Sequence, residues 1–342
     1  MTTSPDPVLE VHELAYSHVV SAALLAAVRL GVPDAIGDRP VTVEELATAV
    51  QADPGALGKL MRALARIGVF HQVDAHTYEH CARSRTLRSD HPSDRRGQVL
   101  IAGAPFAWRI WPHLDEAVRT GGSVFPELFG KSLFAHLHED DVETGELWHR
   151  TFARSAARSV GNLAEIIDLG TAATVADIGA GPGQLLRALL DRNPGVRGIL
   201  FDLPDVITKC HPDLRDGGRL ADRCTIVAGD AHRAVPVKAD VYLLKGVVHM
   251  WDDATVVTVL ANIARHAPAG ARVVIVDQVM DAGAAPGLTV LMDLLMLISQ
   301  GGGERTEAEF RELLGRAGIR LCRITPAGPV NHLIDSVVAE TR

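Results

Sequence analysis

Val175-Ala-Asp-Ile-Gly-Ala-Gly-Pro-Gly183 is the stretch that decides how this chain folds. The apolar run Thr174–Ile178 has the composition of a buried strand, and Gln184–Leu190 has that of a helix. Between them Gly179, Gly181 and Gly183 stand at alternate positions. A strand that passes through a glycine-rich turn into a helix lets a ligand approach bare backbone at the helix N-terminus. The dinucleotide fingerprint Gly-x-Gly-x-x-Gly is excluded, because its last position falls on Gln184. What stands instead is Asp177-x-Gly179-x-Gly181-x-Gly183, followed by a second apolar strand, Gly198–Phe201, that ends at Asp202. An acid at that strand end can accept both hydroxyls of a ribose.

Outward from this turn, strands and helices alternate to the C-terminus, as a parallel, doubly wound sheet requires. The remaining expected strands are Thr225–Ala228, Val241–Leu244, Arg272–Val276, Ile319–Ile324 and His332–Glu340. The last two flank a short Pro/Gly turn, so the final strand is expected to run antiparallel. Thr306 and Glu309 form a capping box that starts a helix over Glu307–Arg316.

The N-terminal third is helical in pattern. Val19–Leu30 reads as a helix ended by Gly31 and Pro33, and Thr42 with Glu45 makes a capping box for Val43–Val50. Asp53 and Pro54 open another helix that Gly68 closes, and Val69–Tyr78 alternates enough for a small hairpin. Helix, helix and hairpin in that order resemble a winged helix. Pro105–Arg119 and Gly145–Leu169 read as connecting helices around a broken loop, Gly121–Gly130. These patterns divide the chain into residues 1–100 and 101–342.

A winged helix raises the reading of a DNA-binding regulator, with Arg83, Arg85, Arg88, Arg95 and Arg96 on phosphates. The charge balance opposes it. A net charge of −8 on 342 residues disfavours nucleic acid and anionic membranes alike, because phosphate neutralisation supplies most of such affinity. The 47% hydrophobic and 22% charged composition suits a globular chain with sizeable cores. Cys81, Cys210, Cys224 and Cys322 are scattered without Cys-x-x-Cys pairing, which fits a reducing cytoplasm and no zinc site. The start, Met1–Glu10, is polar and acidic and is no signal peptide.

Later elements agree with the glycine-rich turn. Gly229 and Asp230 follow Thr225–Ala228, and Lys245 follows Val241–Leu244. Leu-Lys-x-x-x-His-x-Trp-Asp-Asp runs from Leu244 to Asp253, and Gly301-Gly-Gly-Glu-Arg-Thr306 precedes a helix. Together these motifs resemble the small-molecule O-methyltransferases of plant phenolic and bacterial antibiotic pathways, and the resemblance covers nearly the whole chain. It implies a Rossmann-like class I methyltransferase domain with a mostly parallel, seven-stranded sheet, S-adenosylmethionine (SAM) as cofactor, and an N-terminal winged-helix domain used for homodimerisation.

The same resemblance assigns site residues. Gly179 and Gly181 would approach the cofactor, Asp202 its ribose, Asp230 and Ala231 its adenine, and Lys245 its carboxylate end or the backbone. Ala231 and His232 stand where the family commonly carries a bulky apolar pair. His249, four residues beyond Lys245 at the strand's carboxyl edge, would be the general base, neutral near pH 7, flanked by Asp277 and Glu304. A phenol of pKa near 10 is only about a thousandth ionised at neutral pH, which sets roughly 4 kcal/mol for a base to offset. Glu304 has a second reading, as a cap for the helix near Thr306. Met292 and Met296 on a helix, and Trp108 with Phe106 and Trp111, would wall a substrate pocket or simply pack a core. The expected activity is methyl transfer to a hydroxyl of a small aromatic natural product. The alternatives are SAM-bound non-methylating chemistry (decarboxylation, hydroxylation or a pericyclic step), transfer to nitrogen or carbon, and the DNA-binding regulator.

Overall fold

A computed structural model describes residues 6–93, 95–280 and 287–339, apart from the side chains of 155–158 and 288. The first five residues of the polar start and Glu340 of the last expected strand lie outside them. The chain divides into two compact units, Met1–Arg109 with Leu137–Ser155, and Ile110–His136 with Ala156–Arg342.

In the first unit the expected helices form at Ser17–Arg29, Val43–Val50 and Pro54–Arg66. The Thr42/Glu45 capping box is reciprocal, and Asp53 accepts from the Ala56 N–H at 2.7 Å. The hairpin is Phe70–Gln72 (β2) and Thr77–His80 (β3), and a two-residue strand, Val41–Thr42 (β1), pairs with the outer edge of β3. β1 is too short to carry a sequence period. Leu46, Leu57, Met61, Leu64, Phe70 and Tyr78 fill the core between these helices and the wing. Four of the five arginines have partners in the unit: Arg83 on the Ile67 carbonyl, Arg85 on Asp38, Arg88 on Asp38 and Asp90, and Arg95 on Gln98. Residues 137–155 belong here because buried Thr151 packs closely on Gly97.

The second unit is built on one sheet. Its strands are β4 (Thr174–Ile178), β5 (Arg197–Asp202), β6 (Cys224–Ala228), β7 (Val241–Lys245), β8 (Arg272–Gln278), β9 (Ile319–Pro326) and β10 (Asn331–Val338). Their order is β6-β5-β4-β7-β8-β10-β9. All neighbours are parallel except β10, which runs antiparallel to both β8 and β9. The near-continuous apolar strands follow from burial on both faces. Tyr242, Leu244, Val273 and Ile275 point into one core with helices Asp253–His266 and Glu307–Arg316. Val241, Leu243, Val274 and Val276 point into the other, with helix Gln184–Arg192 and the end of helix Val142–Ile166. Leu186, Leu189 and Leu190 are fully buried there, each contributing about 2 kcal/mol by leaving water.

The connecting region departs from expectation. Pro105–Arg119 is broken into helices Pro105–Ile110 and Leu114–Thr120 by a 3-10 turn at Trp111–His113, where Pro112 supplies no N–H for a continuous helix. The expected loop Gly121–Gly130 contains a helix, Phe125–Phe129, with Pro126 in its first turn and Gly130 closing it. Proline and glycine mark the ends of a short element there rather than its absence. Among the described residues no single helix is long and apolar enough to cross a membrane.

Candidate active site

The glycine turn is fastened by the acid at the end of the neighbouring strand. Gly179, Gly181 and Gly183 all have left-handed backbone, with φ of 69°, 57° and 78°. The Gly179 N–H donates to the Phe201 carbonyl at 2.9 Å, and the Gly181 N–H to Asp202 Oδ2 at 2.7 Å. Asp202 Oδ1 accepts from the Leu203 N–H at 2.7 Å, so each carboxylate oxygen keeps a lone pair beyond one protein donor. Burial pushes this carboxyl above the ordinary range, against the pull of the two N–H groups. Asp177, wholly buried in β4, is pushed by burial up to about 7 although Lys245 at the end of β7 draws it down. At Gly181 no atom stands within 4 Å of where a Cβ would lie, so bare backbone meets open space beside Asp202. That opening and the acid with spare lone pairs fit a ribose-bearing cofactor.

Asp230 and Ala231 come beside this turn because the Gly229 N–H donates to the Asp202 carbonyl at 2.9 Å. Asp230 Oδ1 accepts from the His232 N–H at 2.9 Å, and Oδ2 pairs with Arg233 at 3.5 Å. Buried Asn262 donates to the carbonyls of Ala231 and His232 at 2.9 and 3.2 Å. The His232 ring meets Trp251 edge-on, centroids 5.2 Å apart.

His249, Asp277 and Glu304 converge. β7 hands the chain to a 3-10 turn, Val248–Met250, beside the end of β8 that carries Asp277. Nδ1 of His249 lies 3.0 Å from Glu304 Oε1 and 3.3 Å from Asp277 Oδ1, while Asp277 Oδ2 accepts the His249 backbone N–H at 3.2 Å. Nε2 has no partner among the described residues. Desolvation opposes charge on the ring, but the two carboxylates outweigh it and raise its pKa to about 9. The imidazole of the free protein is therefore protonated at neutral pH, a correction to the neutral ring expected from sequence. Glu304 does not cap the following helix. Thr306 does, with Glu309 completing the box.

Further residues hold this cluster in place. Arg305, buried, donates to the carbonyls of Val248, Gly303 and Trp251 at 3.1, 3.1 and 2.7 Å and to Asp253 at 2.9 Å. The Gly303 N–H donates to the His249 carbonyl at 2.9 Å, and a Cβ on Gly302 would stand 2.2 Å from that same oxygen. Asp293 Oδ1 accepts the Glu304 N–H at 2.8 Å. Gln278 donates to Glu304 Oε1 at 3.0 Å and accepts from Thr289 Oγ1 at 2.7 Å. Arg305 lay in a motif already quoted and Gln278 follows Asp277 directly, whereas nothing in the sequence marks Thr289.

Met292 and Met296 are half-buried on helix Gly287–Gln300, the helix that carries Asp293 to Glu304. Phe106 is buried and Trp108 partly exposed within the first unit, and Trp111 is partly exposed within the second.

A mostly parallel sheet with an antiparallel β10 and a glycine turn bound to an acid at its carboxyl edge defines a class I SAM-dependent methyltransferase. The chain belongs to the O-methyltransferase family. Residues 111–320 match its O-methyltransferase domain and residues 12–90 its O-methyltransferase dimerisation domain. It is 39% identical to a mitomycin biosynthesis 6-O-methyltransferase of Streptomyces lavendulae, over 90% of this chain and 88% of the relative. It is 34% identical to a phenazine O-methyltransferase of Lysobacter antibioticus, over 93% and 92%. The SAH-bound crystal structure of CalO1, a methyltransferase in calicheamicin biosynthesis, superposes with a TM-score of 0.84 at 33% identity, covering 98% of this chain and all (100%) of that one. The protein is a SAM-dependent O-methyltransferase of the antibiotic-pathway type.

Arg305→Met should lower the unfolding free energy by about 2–5 kcal/mol in urea titration, because three carbonyls lose a charged donor at a buried site. Arg305→Lys should recover only part, since an ammonium cannot span the fork. The exposed Asp253 contributes little to this loss, so Asp253→Ala should cost under about 1 kcal/mol. An Arg305→Met protein as stable as wild type would show that the clamp is not holding the loop.

Proposed function

We propose that the protein methylates a hydroxyl of a small aromatic natural product, with His249 as general base and a homodimer as its working form. The observation that carries this reading is the imidazole whose Nδ1 is held between two buried carboxylates while Nε2 has no partner among the described residues. With Nδ1 committed to the acids, the proton of an attacking hydroxyl has one nitrogen to go to, Nε2. A ring of pKa about 9 is a stronger base than an ordinary histidine, and it is close to a phenol of about 10. Proton transfer between them is then nearly even in free energy. The same shift means that the base form becomes abundant only as pH rises toward 9.

SAM supplies a methyl group on sulfonium, an electrophile that an ionising hydroxyl oxygen can attack. Gly179 would lie nearest its methionine part, Gly181 and Asp202 would hold its nucleoside end and the Asp230–Ala231 segment its adenine, with Lys245 toward its carboxylate. The fit rests on the open backbone at Gly181 and on the free lone pairs of Asp202. Met292 and Met296 would contact the acceptor. The dimer reading rests on the dimerisation-domain match and on exposed Val8, Val11 and Leu14 of helix Pro7–Ala15 and Val19 of helix Ser17–Arg29, apolar side chains that a partner copy would cover.

Asp202→Asn should weaken SAM binding about ten- to a hundred-fold by calorimetry, because a neutral amide is a poorer acceptor for the diol and for Gly181. Unchanged affinity in a folded variant would misplace the ribose. His249→Ala should keep SAM affinity within about two-fold and cut turnover by about 10²–10⁴, read as S-adenosylhomocysteine release with a panel of phenolic acceptors. In wild type the rate should climb up to about pH 9, since the proton on the ring must first leave. The variant should climb instead with the ionisation of the acceptor itself, toward about pH 10, so that its deficit shrinks at high pH, and near-wild-type turnover at pH 7 would remove the base assignment. Val11→Glu with Leu14→Glu should convert the dimer to monomer in sedimentation equilibrium, and an intact dimer would place the interface elsewhere.

A further inference from the structure

One chain of hydrogen bonds reaches the His249 cluster from outside it. Thr289 Oγ1 donates to Gln278 Oε1 at 2.7 Å, Gln278 Nε2 donates to Glu304 Oε1 at 3.0 Å, and the same Glu304 oxygen faces His249 Nδ1 at 3.0 Å. Thr289 and Glu304 are both buried. Glu304 Oε2 is buried too and has no hydrogen-bond partner among the described residues. Gln278 is thus the one neutral side-chain donor to this carboxylate among the described residues.

We propose that Gln278 is a positioning residue for His249: it keeps Glu304 ionised, so that the neutral imidazole carries its proton on Nδ1 and leaves Nε2 bare. The amide can do this in only one orientation. Turned over, its oxygen would face the carboxylate, which only a protonated Glu304 tolerates, while Thr289 anchors the far end of the amide within reach of Glu304. The proposal deepens the base reading above and rests on it for its catalytic consequence, but the proton placement itself is independent of turnover.

Without this donor the balance at Glu304 changes. Burial already raises its pKa, opposed by His249 and reinforced by Asp277 on β8 and Asp293 on the facing helix. Arg305, following Glu304, acts on the ring in the opposite sense to the acids. A protonated Glu304 would donate its O–H to Nδ1 and force the ring proton onto Nε2, the form that cannot accept a proton there. Asp277 also faces Nδ1, but its other oxygen is tied to the His249 backbone, so its pull does not depend on Gln278. Gln278 and Asp277 therefore act on the same ring nitrogen through separate supports.

The test reads the ring directly. Protein labelled with [15N]histidine and saturated with S-adenosylhomocysteine is titrated by NMR, the His249 signals being those lost in His249→Ala. Wild type should pass from imidazolium to the Nδ1–H form as pH rises. Gln278→Met, close in shape but without a donor, should shift the tautomer ratio toward Nε2–H by about ten-fold or more, the scale of a lost bond to a charged group. Thr289→Val should shift it the same way and less, because the amide is then free to turn. S-adenosylhomocysteine affinity within about two-fold of wild type certifies that each variant is folded. A tautomer ratio unchanged in a folded Gln278→Met protein overturns the proposal. A shifted ratio combined with full turnover in His249→Ala would leave the positioning role standing and remove the base reading instead.

Discussion

One imidazole nitrogen holds two buried carboxylates together: His249 Nδ1 lies 3.0 Å from Glu304 Oε1 and 3.3 Å from Asp277 Oδ1. Burial pushes the Glu304 carboxyl up, and the ring beside it draws it down. The two acids in turn raise the ring's pKa to about 9. Ring and Glu304 therefore set each other's charge. Their supports come from different parts of the chain: β8 for Asp277, the turn after β7 for His249, and the Gly301–Arg305 segment for Glu304. Arg305 ties the last two together through carbonyl oxygens, which fixes the ring's place without adding a competing hydrogen bond to it.

The sheet makes this convergence possible. Parallel strands place the carboxyl ends of β4, β5, β7 and β8 along one edge, so that the glycine turn, Asp202, Lys245 and Asp277 lie on the same side. Asp202 has a double role that its position alone did not reveal. It anchors the Gly181 N–H and the Leu203 N–H and still keeps a lone pair on each oxygen, so the acid at the strand end also shapes the turn beside it.

Much of this was legible in the sequence because strong local rules apply there. The seven strands of the large sheet announced themselves as apolar runs between turn residues, and the boxes at Thr42 and Thr306 fixed two helix starts to the residue. Asp202, Asp277 and Glu304 were found because each stands at a strand end or inside a spaced motif. The sequence was silent where the deciding contact is long-range. β1 is visible only through its pairing with Tyr78 and Thr77, and Thr289 only through an amide 11 residues away. The protonation of His249 also lay beyond sequence reasoning, since it depends on how close two carboxylates come to one nitrogen. Between Ile110 and Gly130 the same proline and glycine signals that mark loops elsewhere bound short helices.

The first compact unit is discontinuous along the chain, closing only with Leu137–Ser155 after an excursion of 27 residues, Ile110–His136, that belongs to the second. During synthesis the winged-helix segment therefore emerges well before the piece that completes its unit. When that piece arrives, Ile110 and Phe125 of the excursion, buried in the finished protein, are already out and waiting for strands and helices not yet made. A ribosome delivering residues in order completes the first unit at Ser155, and the excursion must then be kept from self-association until the sheet exists. The interleaving leaves a finished first unit carrying an unfinished piece of the second for as long as the remaining residues take to emerge.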